Sequence, residues 1–167
     1  MDVKQNDLVV VPGLGVGRVE GKEQVDIGST TLRAFCVTIR DEAGKVWIPE
    51  DRTDGHGLRA PMDEATATSH LQAIAKQEAP KKRANWRNRQ RRYEQTIASN
   101  EPGALAKMIG ELLAVQRAKK QKKQVLSFGE RRLLDRAKNL LFGEVAAVTG
   151  KAMDALERSM GMTASAA

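Results

Sequence analysis

Seven of the thirteen residues from Lys81 to Tyr93, KKRANWRNRQRRY, are lysine or arginine, and Trp86 stands among them. Basic side chains at this density bind phosphates. On a helix Arg83, Arg87 and Arg91 share a face, with Arg89 and Arg92 spread around the rest. Like charges at that spacing destabilise an isolated helix by ~0.2–0.5 kcal/mol per pair. An external polyanion relieves the repulsion, and counterion release makes its binding fall steeply with salt. Trp86 has two readings. It can pack into a helical core, or it can stand out of the basic surface and meet bases. In the second case it wedges into a minor groove or stacks on exposed bases, worth ~1–3 kcal/mol each. Its neighbours Asn85 and Arg87 are polar, and positions 82, 83, 89 and 90 carry no apolar side chain. Both facts favour the exposed reading. A second basic run, Arg117–Lys123, is either a solvated connector or a further phosphate contact. Arg131, Arg132, Arg136 and Lys138 add positive charge beyond it.

Little else offers chemistry. The two histidines, His56 and His70, are not at metal-binding spacing, and no serine sits in a nucleophile-elbow motif. His56, in DGHG, reads as a surface turn residue. Cys36 is the only cysteine, so neither an intramolecular disulfide nor a cysteine-based zinc site can form. Between Phe35 and Val37 it reads as an inert, half-buried residue. Gly13, Gly15 and Gly17 lack the spacing of a phosphate loop and precede strand residues rather than a helix. They read as turn glycines with unusual backbone angles. The expectation is a non-enzyme with no metal and no cofactor. An enzyme is the weaker rival, because no catalytic constellation is present.

Those residues must be positioned by two kinds of structure. The first sixty residues read as β: Asp7–Val11, Val16–Glu20, Gln24–Ile27, Leu32–Arg40 and Lys45–Pro49, with a turn signal at 41–44. In Leu32–Arg40, Leu32, Ala34, Cys36 and Thr38 fall on one face, and Phe35, Val37 and Ile39 on the other. From Met62 the period turns helical. Helices are expected over Asp63–Lys76 and Arg83–Ser99. A third is capped by Asn100, with Pro102 in its first turn and a stripe of Leu105, Met108, Ile109, Leu112 and Leu113. Ser127–Glu130, SFGE, matches a capping box; its helix carries Leu133, Ala137, Leu140 and Leu141 and continues through Val145 and Val148. A last helix covers Lys151–Ser159. The fold class expected is α+β: a small bent sheet or barrel of Tudor-like or SH3-like size over 1–61, about five helices over 62–160, and a disordered tail at 161–167.

Hydrophobic residues make up 41% of the 167, enough for a real core. The net charge of +7 is unevenly placed: −2 over residues 1–60, −2 over 61–79 and +11 over the remainder. Two surfaces with different partners follow, the basic one facing a polyanion. No secretory signal and no membrane span is legible, so a cytoplasmic, nucleoid-associated protein is expected.

DLVVVPGLGVGRVE, KVWIP and GLRAPM, then NWRNRQRRYEQTIASNEP and SFGERRLLDRAKNLLFGEVA, stand in an order that resembles the CarD/CdnL family of bacterial transcription regulators. The resemblance runs over about residues 6–158. It implies a Tudor-like domain that binds the RNA polymerase β subunit, with Val25, Ile27, Lys45 and Trp47 as candidate contacts. It also implies a helical domain on promoter DNA at the upstream edge of the melted bubble. There Trp86 would wedge into the minor groove, with Asn85, Arg87, Arg89, Arg91 and Arg92 beside it and Arg89 and Arg91 best matched to the backbone-holding positions. The outcome implied is a longer-lived open promoter complex. DNA binding alone would be weak, salt-sensitive and sequence-tolerant, since polymerase delivers the protein through effective concentration. A monomer is expected, with room for a further regulatory protein. Two departures stand out. Val11 occupies a place where tyrosine is common, and Trp47 stands about where an arginine often does. Trp47 is then either an exposed apolar anchor or core. The rival reading is an adaptor whose basic half docks an acidic protein rather than DNA.

Overall fold

The computed structural model describes residues 2–40, 44–52 and 58–161. His56, most of the turn at 41–44 and all but Gly161 of the expected tail lie outside them. The chain divides into two compact units, Met1–Pro61 and Met62–Ala167. The class is α+β: among the described residues, a four-stranded antiparallel sheet followed by five helices.

The sheet is a meander of β1 (Leu8–Val11), β2 (Gly15–Ile27), β3 (Thr30–Ile39) and β4 (Lys45–Pro49) in the order β1-β2-β3-β4. Five strands were expected and four form among the described residues, because Val16–Glu20 and Gln24–Ile27 belong to one 13-residue strand. The register shifts between Val19 and Gly21, so Glu20 is the extra residue of a β-bulge. Such a bulge keeps the strand paired while changing its course. Gly13 and Gly15, at φ 74° and 94°, make the β1–β2 turn. Gly17 serves differently: it lies within β2, where a Cβ would come 2.4 Å from a Val37 methyl.

The alternation expected of Leu32–Arg40 is present. Phe35, Val37 and Ile39 join Val9, Val11, Val19 and Ile48 in a core on one face of the sheet, closed by Val3 and Leu58. Leu58 is delivered by an antiparallel bridge in which Val10 and Arg59 exchange both backbone hydrogen bonds, at 2.8 and 3.3 Å.

The helices are α1 (Glu64–Lys76), α2 (Trp86–Ser99), α3 (Pro102–Gln121), α4 (Phe128–Thr149) and α5 (Met153–Ser159). Central among them is α3, on which α1, α2 and α4 all pack. The expected stripe of Leu105, Met108, Ile109, Leu112 and Leu113 is buried, and Ala106, Gly110, Ala114 and Val115 are buried with it. Fully burying each large aliphatic contributes ~1.5–3 kcal/mol. Leu133, Ala137, Leu140, Leu141 and Val145 of α4 close the other side of the core. Two helix starts differ from expectation. Asn85 caps α2 by accepting from Asn88 N at 3.0 Å, so Arg83 precedes the helix and shares no helical face with Arg87 and Arg91. Asn100 ends α2 in the left-handed conformation at φ 50°, while Glu101 caps α3 by accepting from Gly103 N and Ala104 N at 2.9 and 2.6 Å. A short polar side chain tolerates the left-handed region, so Asn100 suits an ending as well as a beginning.

Candidate nucleic-acid interface and sheet face

Helix α2 begins at the tryptophan, and the Asn85 cap fixes where that first turn points. Trp86 lies outside the helical core cluster and is 36% exposed. Its ring lies against the backbone of Gly129, at the start of α4: a Cβ there would come 2.7 Å from Trp86 Cζ2. The Arg89 guanidinium stands 5.2 Å from the ring centroid, within cation–π range. The indole is therefore held in one orientation by a glycine and a cation while part of it faces solvent.

Glu130 organises the rest. Its carboxylate is 3% exposed and meets three cations: Arg83 at 2.5 Å, Arg89 at 2.9 Å and Lys119 at 3.2 Å. Ser127 N donates to it at 3.0 Å, and Ser127 Oγ accepts from Glu130 N at 3.2 Å, completing the expected capping box. Burial works to raise the pKa of Glu130. The hydrogen bonds from Arg89, Ser127, Arg83 and Lys119 outweigh it and hold the carboxyl well below the usual carboxylate range. One buried anion thus ties the approach to α2, the first turn of α2 itself, the end of α3 and the start of α4.

The candidate DNA-contacting residues divide accordingly. Asn85 is the α2 cap. Arg89 is 14% exposed, pairs with Glu130 and donates from Nε to Ala84 O at 3.0 Å. Arg92 pairs with the largely buried Glu111 at 2.9 Å while remaining 57% exposed. Arg87 and Arg91 are exposed and make no ion pair among the described residues. The second basic run is also divided: Lys119 belongs to the Glu130 cluster, and Arg117 donates to Gln77 O at 3.4 Å.

Two participants escaped the sequence reading. Glu130 was legible only as a capping-box residue, since its three cations come from positions 83, 89 and 119. Phe128 is 75% exposed and lines one open cleft with Trp86, Arg83, Arg89, Lys119 and Glu130. The signal that could have flagged it is position: an aromatic at the first residue of a capped helix, off the Leu133–Ala137–Leu140 stripe.

In the sheet, the register places Val25, Ile27, Lys45 and Trp47 on one face, opposite the core face. Ile27 is 62% and Trp47 47% exposed. Trp47 is thus not core; its Nε1 donates to Glu23 Oε2 of β2 at 2.9 Å, a bond that spans the intervening strand β3. Directly opposite Trp47 stands Cys36, fully buried rather than half-buried. Burial, then the Glu23 charge, pushes its thiol pKa up, so it is a poor nucleophile. Among the described residues no three His, Cys, Asp or Glu side chains gather as a metal site needs, and no helix is long and apolar enough to cross a membrane.

Residues 70–160 match the family described as CarD, C-terminal domain. The chain belongs to the CarD family. That family is one of transcription regulators. The match covers α2, the Glu130 cluster and the Trp86 cleft. No curated protein matches the chain.

Proposed function

We propose that this CarD-family protein binds the RNA polymerase β subunit through its sheet and stabilises the open promoter complex through its helical unit. Trp86 meets the minor groove at the upstream edge of the bubble. The observation that carries the reading is the half-exposed Trp86, set on Gly129 and under Arg89 in the basic part of the chain. A ring oriented in advance loses little freedom on binding, and apolar wedges of this kind unstack base steps. Arg87 and Arg91, exposed on the same helix, supply phosphate contacts. Arg89 acts differently from a free phosphate ligand: it holds the ring and the carboxylate together.

The sheet face supports the polymerase half of the reading. Trp47, Ile27 and Val25 give it an apolar surface, with Lys45 at its margin, and an oriented tryptophan is a common interface anchor. Trp86→Ala should shorten open-complex lifetime on a promoter template while leaving polymerase capture intact. An unchanged lifetime would sink the wedge role. Trp47→Ala should weaken capture of the β subunit instead. If the basic half docks an acidic protein, titration of the wild type with DNA at several salt concentrations will show no binding.

A further inference from the structure

We propose that Phe128 is a second base-contacting residue, and that the cleft it forms with Trp86 takes an unpaired nucleobase where duplex DNA opens into single strands. The proposal rests on the DNA-contacting reading of Trp86 and adds a residue and a ligand to it.

Three observations converge on the cleft. Among the described residues, the helical unit leaves only three large hydrophobic side chains exposed: Trp86, Val125 and Phe128. Two of them are aromatic and line the same open cleft of about 460 Å³. The third lies three residues before Phe128 in the α3–α4 connection. Packing does not account for Phe128, because α4 buries Leu133, Leu134 and Ala137 and leaves Phe128 75% exposed. Its backbone is nonetheless well fixed. It is the first residue of α4, between the capping serine and the glycine that carries the Trp86 ring.

The electrostatics say what such a cleft suits. Arg83, Arg89 and Lys119 line it around the single carboxylate of Glu130, so the lining is net positive. Arg131 and Arg132, exposed on the next turn of α4, add to that field. Aromatic walls in a positive setting fit a flat π-faced group attached to a phosphodiester chain. Stacking is sequence-tolerant because every base offers a π-face. A paired base cannot enter without leaving its stack, so the cleft favours a junction over an intact duplex.

The test compares the full chain on a forked DNA and on a fully paired duplex of the same sequence, at one salt concentration, with wild type, Phe128→Ala and Phe128→Tyr. Wild type should prefer the fork. Phe128→Ala should lower the fork-to-duplex affinity ratio by at least about fivefold, as removal of one stacked base implies. Phe128→Tyr, which keeps the aromatic face, should restore it. Circular dichroism of Phe128→Ala should match wild type, since little packing is removed. An unchanged ratio in Phe128→Ala overturns this proposal while leaving the Trp86 reading intact. Failure of the wild type to bind either DNA overturns both.

Discussion

Glu130 shows how a residue can matter without touching a partner. It is buried, and its charge is met by two arginines, a lysine and a backbone N–H. Removing one partner from a buried ion cluster costs about 3–5 kcal/mol, because the remaining charges stay behind. Glu130→Gln should therefore lower the denaturation midpoint, and it should also loosen Trp86 through Arg89. The pH dependence has a definite sign. The folded pKa lies below the unfolded one, so the stabilisation is complete above the ordinary glutamate range. It is lost as pH falls from about 4.3 toward the folded value. Thermal unfolding followed from pH 6 to pH 3 should show that loss in wild type and a shallower one in Glu130→Gln. Gly129→Ala is a gentler probe. A methyl placed 2.7 Å from the indole must push the ring aside, so Trp86 emission should shift while the helical signal stays constant. At this scale the chain was partly legible. The oddity of Trp86 among cations could be read from its neighbours. Glu130 could not, because its partners lie 11 to 47 positions away.

Elements were legible wherever one local signal dominated. The capping box at Ser127–Glu130 and the apolar stripe of α3 are local patterns, and both are present. Errors fell where two local readings compete. A glycine-flanked bulge in β2 looks like a turn until the partner strand β3 is known, since only the cross-strand register shows that pairing continues. Asn100 suits both a C-terminal left-handed ending and an N-terminal cap. The chain uses it for the first and assigns the cap to Glu101. Glu101→Ala should then cost about 1 kcal/mol, the usual value of an N-cap. Chemical denaturation would register it, and no effect would mean that α3 starts without side-chain help.

Across the whole molecule, charge rather than fold was the clearest message of the sequence. Residues after 79 carry +11 while the rest carry −4, yet several of their basic side chains are engaged in ion pairs. Arg83, Arg89 and Lys119 serve Glu130, and Arg92 serves Glu111. A count of basic residues therefore overstates what is free to meet a polyanion. Arg87→Ala with Arg91→Ala should reduce the salt slope of DNA binding by roughly one for each phosphate that is no longer neutralised. Arg89→Ala should act instead through stability and the orientation of Trp86. Equal slopes in the double variant and the wild type would move the phosphate contacts elsewhere, with Arg131 and Arg132 the next to examine.

The single thiol has a use beyond its inertness. Cys36 is sealed in the sheet directly across from Trp47, so a labelling reagent reaches it only when that unit opens. In the limit of fast reclosing, the labelling rate reports the opening free energy of the Met1–Pro61 unit within the intact chain. A partner seated over Trp47 would slow it by the factor 1 + [L]/Kd. The native sequence thus contains a chemical timer for occupancy of the sheet face, with no tag, dye or added cysteine required.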